Sequence, residues 1–296
     1  MDIARTTPDA LGPLETALDR EFVTRRGRSG TLRARYPLAF GATCEFLVSR
    51  QDGHARACLA GRRVVWRDPA GDRHGVMIGL VYTVPEARGR GLGTALVRAA
   101  LEIFAAEGCD FAVLWSRLAG FYESAGFRRA DCGVLGRATG EAGISGPPPG
   151  EPLVRLSAAE LAALERLRRT GGEAGIDRPA AAWRTTPLPA DEVRVLRSGP
   201  PADPAAYLLF GCAADRRIVY EIAGDPSAGA ALWQALCAGT AAILVNDRRG
   251  SPSQRRLDAH AAIAWEAQRL ACWAPLSPAM HACDFADWYV PYLDRI

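Results

Sequence analysis

Lysine is absent from this chain of 296 residues, so all 36 residues counted as Lys or Arg are arginine. That absence excludes a Walker-type phosphate loop, whose Gly-Lys-Ser/Thr ending needs the ammonium group. Strong charge of either sign is missing as well. The formal net charge is +3 and no aromatic–basic interleaving occurs, so composition gives no support for nucleic-acid binding. Cys44, Cys58, Cys109, Cys132, Cys212, Cys237, Cys272 and Cys283 are scattered, without Cys-x-x-Cys and without nearby histidines at ligand spacing. Reduced thiols in apolar surroundings are therefore expected rather than a zinc site or a disulfide framework. The opening Met1-Asp2-Ile3-Ala4-Arg5 lacks an apolar signal core, and no run approaches membrane-spanning length. A soluble cytoplasmic protein is the expectation. Apolar residues make up 49% of the chain, ample for sizeable cores in one large or two ordinary domains. The abundance of Ala, Arg and Gly reads as a GC-rich coding bias.

What the chain does contain is Arg88-Gly89-Arg90-Gly91-Leu92-Gly93-Thr94. An apolar strand pattern, Val76 to Val84, precedes it and closes at Pro85; a helical pattern through Leu96, Val97, Leu101 and Phe104 follows. A strand that breaks into a glycine turn and opens a helix leaves several N–H groups unpaired and pointing one way. With the positive end of the helix dipole they form a socket for an anion. Glycine lets a phosphate approach closely and allows the dihedrals required. Arg88 and Arg90 add charge that a diphosphate can use. The glycines at 89, 91 and 93 miss the Gly-x-Gly-x-x-Gly register of dinucleotide-binding folds.

A second segment follows. Phe111 to Trp115 reads as a short buried strand, and Gly120-Phe121-Tyr122-Glu123-Ser124-Ala125-Gly126-Phe127 as a short helix closed by glycine. Together, Val84-Pro85-x-x-Arg88-x-x-Gly91-x-Gly93 and Phe121-Tyr122-x-x-x-Gly126-Phe127 resemble the GCN5-related N-acetyltransferases (GNAT). In that family the loop holds the diphosphate of acetyl-CoA. The resemblance implies a catalytic Tyr122, as proton donor to the departing CoA thiolate. A tyrosine that only packs and bonds locally is the alternative. Carried over by position, cofactor contacts would come from Tyr82, Thr83 and Val84, from Arg88, Gly89, Arg90, Gly91, Leu92, Gly93, Thr94 and Ala95, and from Arg117.

The order of elements fits. Helical pieces at 11–19 and 31–38 precede strands at 44–49, 55–66 and 75–84, read as an antiparallel meander. Then come the loop, a helix over 92–106, a strand over 111–115, the Tyr122 helix and an extended run 127–135. The resemblance implies that the fourth and fifth strands splay apart. A Gly/Pro-rich linker is expected at 138–152, dividing a domain at 1–137 from one at 153–296. In the second half, Ser157 to Glu160 is a capping box ahead of Leu161, Leu164 and Leu167. Strands are expected at 193–196, 206–210, 218–222 and 242–245, and helices at 228–236 and 254–270. That order echoes the first half, giving an α/β (α+β) fold: a tandem GNAT with mixed, mostly antiparallel sheets flanked by helices. The second copy is degenerate, because Ala223-Gly224-Asp225-Pro226-Ser227 stands at the loop position and Asp225 would repel a diphosphate.

Leu114-Trp115-Ser116 with Tyr122-x-x-x-Gly126, and Arg178-Pro179 with Trp183, are similar to the enhanced-intracellular-survival type of acetyltransferase. That type adds a sterol-carrier-like third domain with a terminal carboxylate as base. No such segment is present in this sequence, so base and substrate range do not carry over. The fourth strand has no Asp or Glu for the task; His74, Glu45, His54 or a water chain are candidates, each more readily read as structural or solvent-exposed. His281, Asp284 and Tyr289 could line an interdomain pocket, against plain packing of Phe285, Trp288 and Tyr289 at helical spacing. The resemblance implies acetyl-CoA as co-substrate, without a metal, and a small-molecule or protein amine as acceptor. An acyl-CoA-responsive binding protein is the rival class. Neither a nucleic-acid nor a membrane partner is expected, and a homodimer or higher oligomer is left open.

Overall fold

A computed structural model describes residues 2–69, 71–140, 148–170, 174–178, 180–186, 190–213, 216–238, 240, 242–260 and 262–296. The first half runs β1 (Asp2–Thr6), α1 (Pro13–Phe22), α2 (Leu32–Arg35), β2 (Cys44–Gln51), β3 (His54–Arg67), β4 (Arg73–Thr83), α3 (Leu92–Ala106), β5 (Phe111–Trp115), α4 (Ala119–Glu123), β6 (Arg128–Arg129) and β7 (Gly133–Thr139). The second half runs β8 (Glu151–Pro152), α5 (Ala158–Arg169), β9 (Gly175–Ile176), β10 (Glu192–Ser198), β11 (Ala206–Ala213), β12 (Arg216–Gly224), α6 (Pro226–Ala238), β13 (Ala242–Arg248), α7 (Pro252–His260), β14 (Ala264–Ala267) and β15 (Ala271–Pro275). Of the stretch expected as a linker, residues 141–147 lie outside the described residues, as does Pro179.

Two sheets result, and they exchange strands. The first is ordered β1-β2-β3-β4-β5-β15-β6, with β9 beside β3; the second is ordered β14-β7-β13-β12-β11-β10-β8. Sheet membership therefore does not follow the division of the chain at 138–152. Strand β7 from the first half pairs antiparallel with β13, while β15 from the second half pairs antiparallel with β5. Each apolar run thereby gains a neighbour that its own half does not supply. Leu114 faces Cys272 and Val113 faces Trp273 in that ladder.

The helix expected over 254–270 is corrected by this pairing. Helix α7 stops at His260, and β14 then lies along β7, with Trp265 opposite Gly136. Alternation of Ile263 and Trp265 and the apolar run of β15 serve a sheet. A ladder with a distant strand overrides the local helical spacing. The tail likewise forms turns rather than a helix. Phe285 stacks on Trp273 at 5.3 Å, and Trp288 stacks on Trp66 at 4.3 Å.

Helices cover the first sheet on both faces. Leu96, Val97, Ala100 and Phe104 of α3 bury with Val76, Ile78 and Leu114 on one face. Leu14 and Leu18 of α1 and Leu32 of α2 bury with Phe46, Leu80 and Tyr82 on the other. Trp273 is fully buried at the centre of a third cluster with Phe111, Met77 and Phe285. We expect Trp273→Ala to destabilise the chain by about 3–5 kcal/mol in chemical denaturation, because it empties the joint between exchanged strands.

Candidate active site

The site is built at the ends of β4 and β5. Their parallel ladder joins Gly75–Phe111, Val76–Ala112 and Met77–Val113; among the described residues it goes no further. Beyond it the strands part, as expected from the family resemblance. A bulge produces the divergence: Gly79 pairs with Ala60 and Tyr82 with Cys58, so Leu80 and Val81 together face Leu59. Leu80 takes φ +48°, a conformation that leucine rarely adopts. Consequently Ile78 packs on the α3 face, whereas Leu80 and Tyr82 pack on the α1 face.

Next to this gap lies the glycine loop. Gly89 and Gly91 take φ +74° and +75°, and a Cβ at either would enter open space. Gly91 is the N-cap of α3 and no side chain caps that end. Among the described residues the first backbone bond there is Ala95 N–H to the Gly91 carbonyl at 2.9 Å, so the amides from Leu92 to Thr94 remain unpaired. That is a ready anion socket on a helix of 15 residues. The residues present fit a diphosphate in both shape and charge.

Not every residue expected there is free to contact a ligand. Arg88 Nε donates to the Thr83 carbonyl at 3.0 Å, and Arg88 Nη2 pairs with Glu21 at 3.1 Å, tying the loop to α1. Its guanidinium also lies 5.8 Å from the Tyr82 ring centroid. Val84 N–H donates to the Arg56 carbonyl at 2.9 Å, so that amide is committed to the β3 side. Arg90 and Arg117 are exposed. Tyr82 is buried, and Gly93 packs against Thr83 and Phe121.

Tyr122 lies on the α3 face, buried with Leu96, Val97, Ala119 and Cys272, the last contributed by the exchanged β15. Phe121 and Phe127 meet its ring edge-on at 4.8 and 5.9 Å. Burial, reinforced by Cys272 and opposed by a hydrogen bond with Ser116, pushes the phenol up to about 12. It is therefore a neutral donor throughout the ordinary pH range.

The candidate bases are elsewhere. Glu45 pairs with Arg5 at 3.4 Å and with Arg63 at 3.2 Å. His54 is exposed at the β2–β3 hairpin. His74 stands at the start of β4, eight residues before Tyr82, which is roughly 26 Å along a strand. Sequence reasoning missed what does reach the bulge. A Cβ on Gly79 would lie 3.0 Å from Ile296 Cγ1 and 3.2 Å from its main-chain oxygen.

The second half repeats the layout with a different ending. Strands β12 and β13 are parallel from Arg217–Ile243 to Val219–Val245 and then part. A cleft of about 650 Å³ opens there, lined in part by Glu221, Asp247, Arg256, Trp288 and Tyr289. Tyr289 thus reaches a cleft, whereas His281 and Asp284 are exposed and line none of it. Asp225 Oδ1 accepts from Ala228 N–H at 2.8 Å, capping α6 with the chain's own carboxylate. A Cβ on Gly224 would lie 2.3 Å from the Ala205 carbonyl oxygen. This copy has no open socket at α6.

Residues 14–127 match the model of the Acetyltransferase (GNAT) family. No curated protein matches the chain by sequence. Among solved structures, a GCN5-related N-acetyltransferase from Anabaena variabilis ATCC 29413 is similar over 93% of this chain and 73% of its own, with TM-score 0.71 and 15% identity. Eis1 from Mycobacterium abscessus is similar over 94% and 74%, with TM-score 0.64 and 16% identity. A tandem GNAT protein from the clavulanic acid biosynthesis pathway is similar over 94% and 99%, with TM-score 0.55 and 10% identity. At such identities the likeness is one of fold. The glycine loop and the splayed strands both lie within the matched segment. The match covers residues 14–127, and the chain as a whole has the tandem GNAT fold.

Gly91→Leu should weaken acetyl-CoA binding more than 100-fold in calorimetry with an unchanged far-UV spectrum. The side chain would fill the socket and strain a left-handed residue by about 1–2 kcal/mol.

Proposed function

We propose that the protein is an acetyl-CoA-dependent N-acetyltransferase that transfers the acetyl group to a primary amine of a small molecule by direct attack on the thioester. The observation that carries this reading is the uncapped, glycine-lined start of α3 beside the gap between β4 and β5. Acetyl-CoA, as co-substrate, supplies the activated acyl carbon. The amides of Leu92 to Thr94 hold the diphosphate, with Arg90 and Arg117 adding charge at the surface. The free edge of β4 after the bulge orients the thioester carbonyl, and unpaired amides there support developing negative charge on oxygen. The amine nitrogen bonds to the acyl carbon, the carbon–sulfur bond breaks, and sulfur takes a proton from Tyr122. The proton shed by nitrogen passes to water and the phenolate is reprotonated from solvent, so the products are an amide and a thiol. A phenol raised to about 12 gives up its proton only while sulfur is leaving, and so acts late.

An acyl-CoA-responsive binding protein is the second reading, favoured by the distance of His74 and the ion pairing of Glu45. Tyr122→Phe separates the two. Under the enzymatic reading turnover of an amine panel, followed by release of free thiol, falls about 10²-fold while acetyl-CoA affinity holds. No transfer to any amine by the unaltered chain would leave the binding reading. The pH profile is a further check. Tyr122 stays protonated, so the rate should rise as the amine deprotonates and show no Tyr122-dependent decline up to about pH 10.

A further inference from the structure

Asp294 is fully buried and is gripped by two arginines from different parts of the chain. Arg178 Nε and Nη2 donate to its two carboxylate oxygens, each at 2.9 Å. Arg62 Nη1, from β3 of the first sheet, donates to its carbonyl oxygen at 2.7 Å. The side chains of Arg178 and Asp294 are both 0% exposed. Arg178 also reaches Glu221 of β12 at 2.8 Å, and Tyr207 of β11 donates to the same carboxylate. The neighbours of Asp294 are held too. Thr185 Oγ1 donates to the Leu293 carbonyl at 3.3 Å, and the Arg295 guanidinium lies 4.8 Å from the Trp115 ring centroid.

A buried ion pair of this kind contributes little stability beyond what apolar packing would give, because both charges lose their water. What it does impose is position: a bidentate pair fixes distance and angle together. Two residues after Asp294 comes Ile296, against Gly79 at the bulge. Its side chain packs with the clusters of Leu80, Tyr82 and Met77, on the face away from Tyr122. Tyr122 and its neighbours fill one face of the gap beside β4, so the face beside Ile296 is the one left for an amine to approach.

We propose that the Arg178–Asp294–Arg62 clamp makes the segment 293–296 a wall of the amine pocket, with Ile296 setting the size of amine admitted and the second sheet fixing where that wall stands. This rests on the acetyltransferase reading. Arg178 and Asp294 are positioning residues, and Ile296 is a specificity residue. The clamp gives the degenerate second half a task that needs no ligand of its own.

The test compares the full chain with Ile296→Ala and Asp294→Asn. Ile296→Ala should raise kcat/KM for a bulky primary amine relative to a small one at least tenfold, with the acetyl-CoA dissociation constant within twofold. Asp294→Asn should raise hydrogen exchange of the peptides spanning 79–84 and 290–296 at least tenfold, leaving those of α3 as they were. Unchanged amine selectivity in Ile296→Ala overturns the specificity role. Wild-type exchange at 79–84 in a folded Asp294→Asn overturns the clamp. If Asp294→Asn does not fold, the exchange comparison is made on Arg178→Lys, and Ile296→Ala still decides selectivity. A wild-type chain that binds acetyl-CoA yet acetylates no amine overturns the enzymatic reading, while the exchange data still decide the clamp.

Discussion

The parting of β4 from β5 is the constraint on which the rest depends. A parallel ladder that stops after three residue pairs leaves main-chain groups facing a gap instead of a partner. Such groups are costly when buried and unpaired, so the gap persists only where a ligand or water meets them. The bulge at Leu80 and Val81 opens the gap, and the start of α3 points donors into its neighbourhood. Tyr122 closes one face, and Ile296 stands at the other.

The two halves share one plan and diverge where a phosphate would sit. In the first, the amides ahead of α3 are uncovered; in the second, Asp225 accepts from the start of α6 and the turn packs against β11. A carboxylate at that position satisfies the same donors and the same dipole that an anionic ligand would. The start of α6 is thus satisfied by the chain's own carboxylate, where the start of α3 has no side-chain cap. The second sheet remains tied to the first through exchanged strands and the ion pair at Asp294.

Local signals in the sequence were reliable where the structure is local. The helix over 92–106, the strand over 111–115 and the capping box at Ser157 are all present at the expected positions. The glycine loop was legible because its residue types are dictated by its own backbone. Strand β1, β14 and β15 were not, since their partners lie far along the chain and pairing rather than propensity defines them. The bulge left no trace either: nothing about leucine at position 80 announces a positive φ. Arg88 looked like a phosphate ligand, and its commitment to Glu21 becomes visible only when α1 packs beside the loop. Arg178 stood out beside Trp183 without revealing the carboxylate it holds.

Reciprocal exchange of β7 and β15 has a consequence for biosynthesis. During translation the first half emerges with the edge of β5 bare, since the strand that covers it follows much later in the chain. Cys272, which abuts Tyr122, arrives on that same late strand. Contacts of such long sequence separation form slowly and after most local structure. A nascent chain therefore carries a finished glycine turn long before the surroundings of Tyr122 are complete, which happens only when the two sheets close on each other.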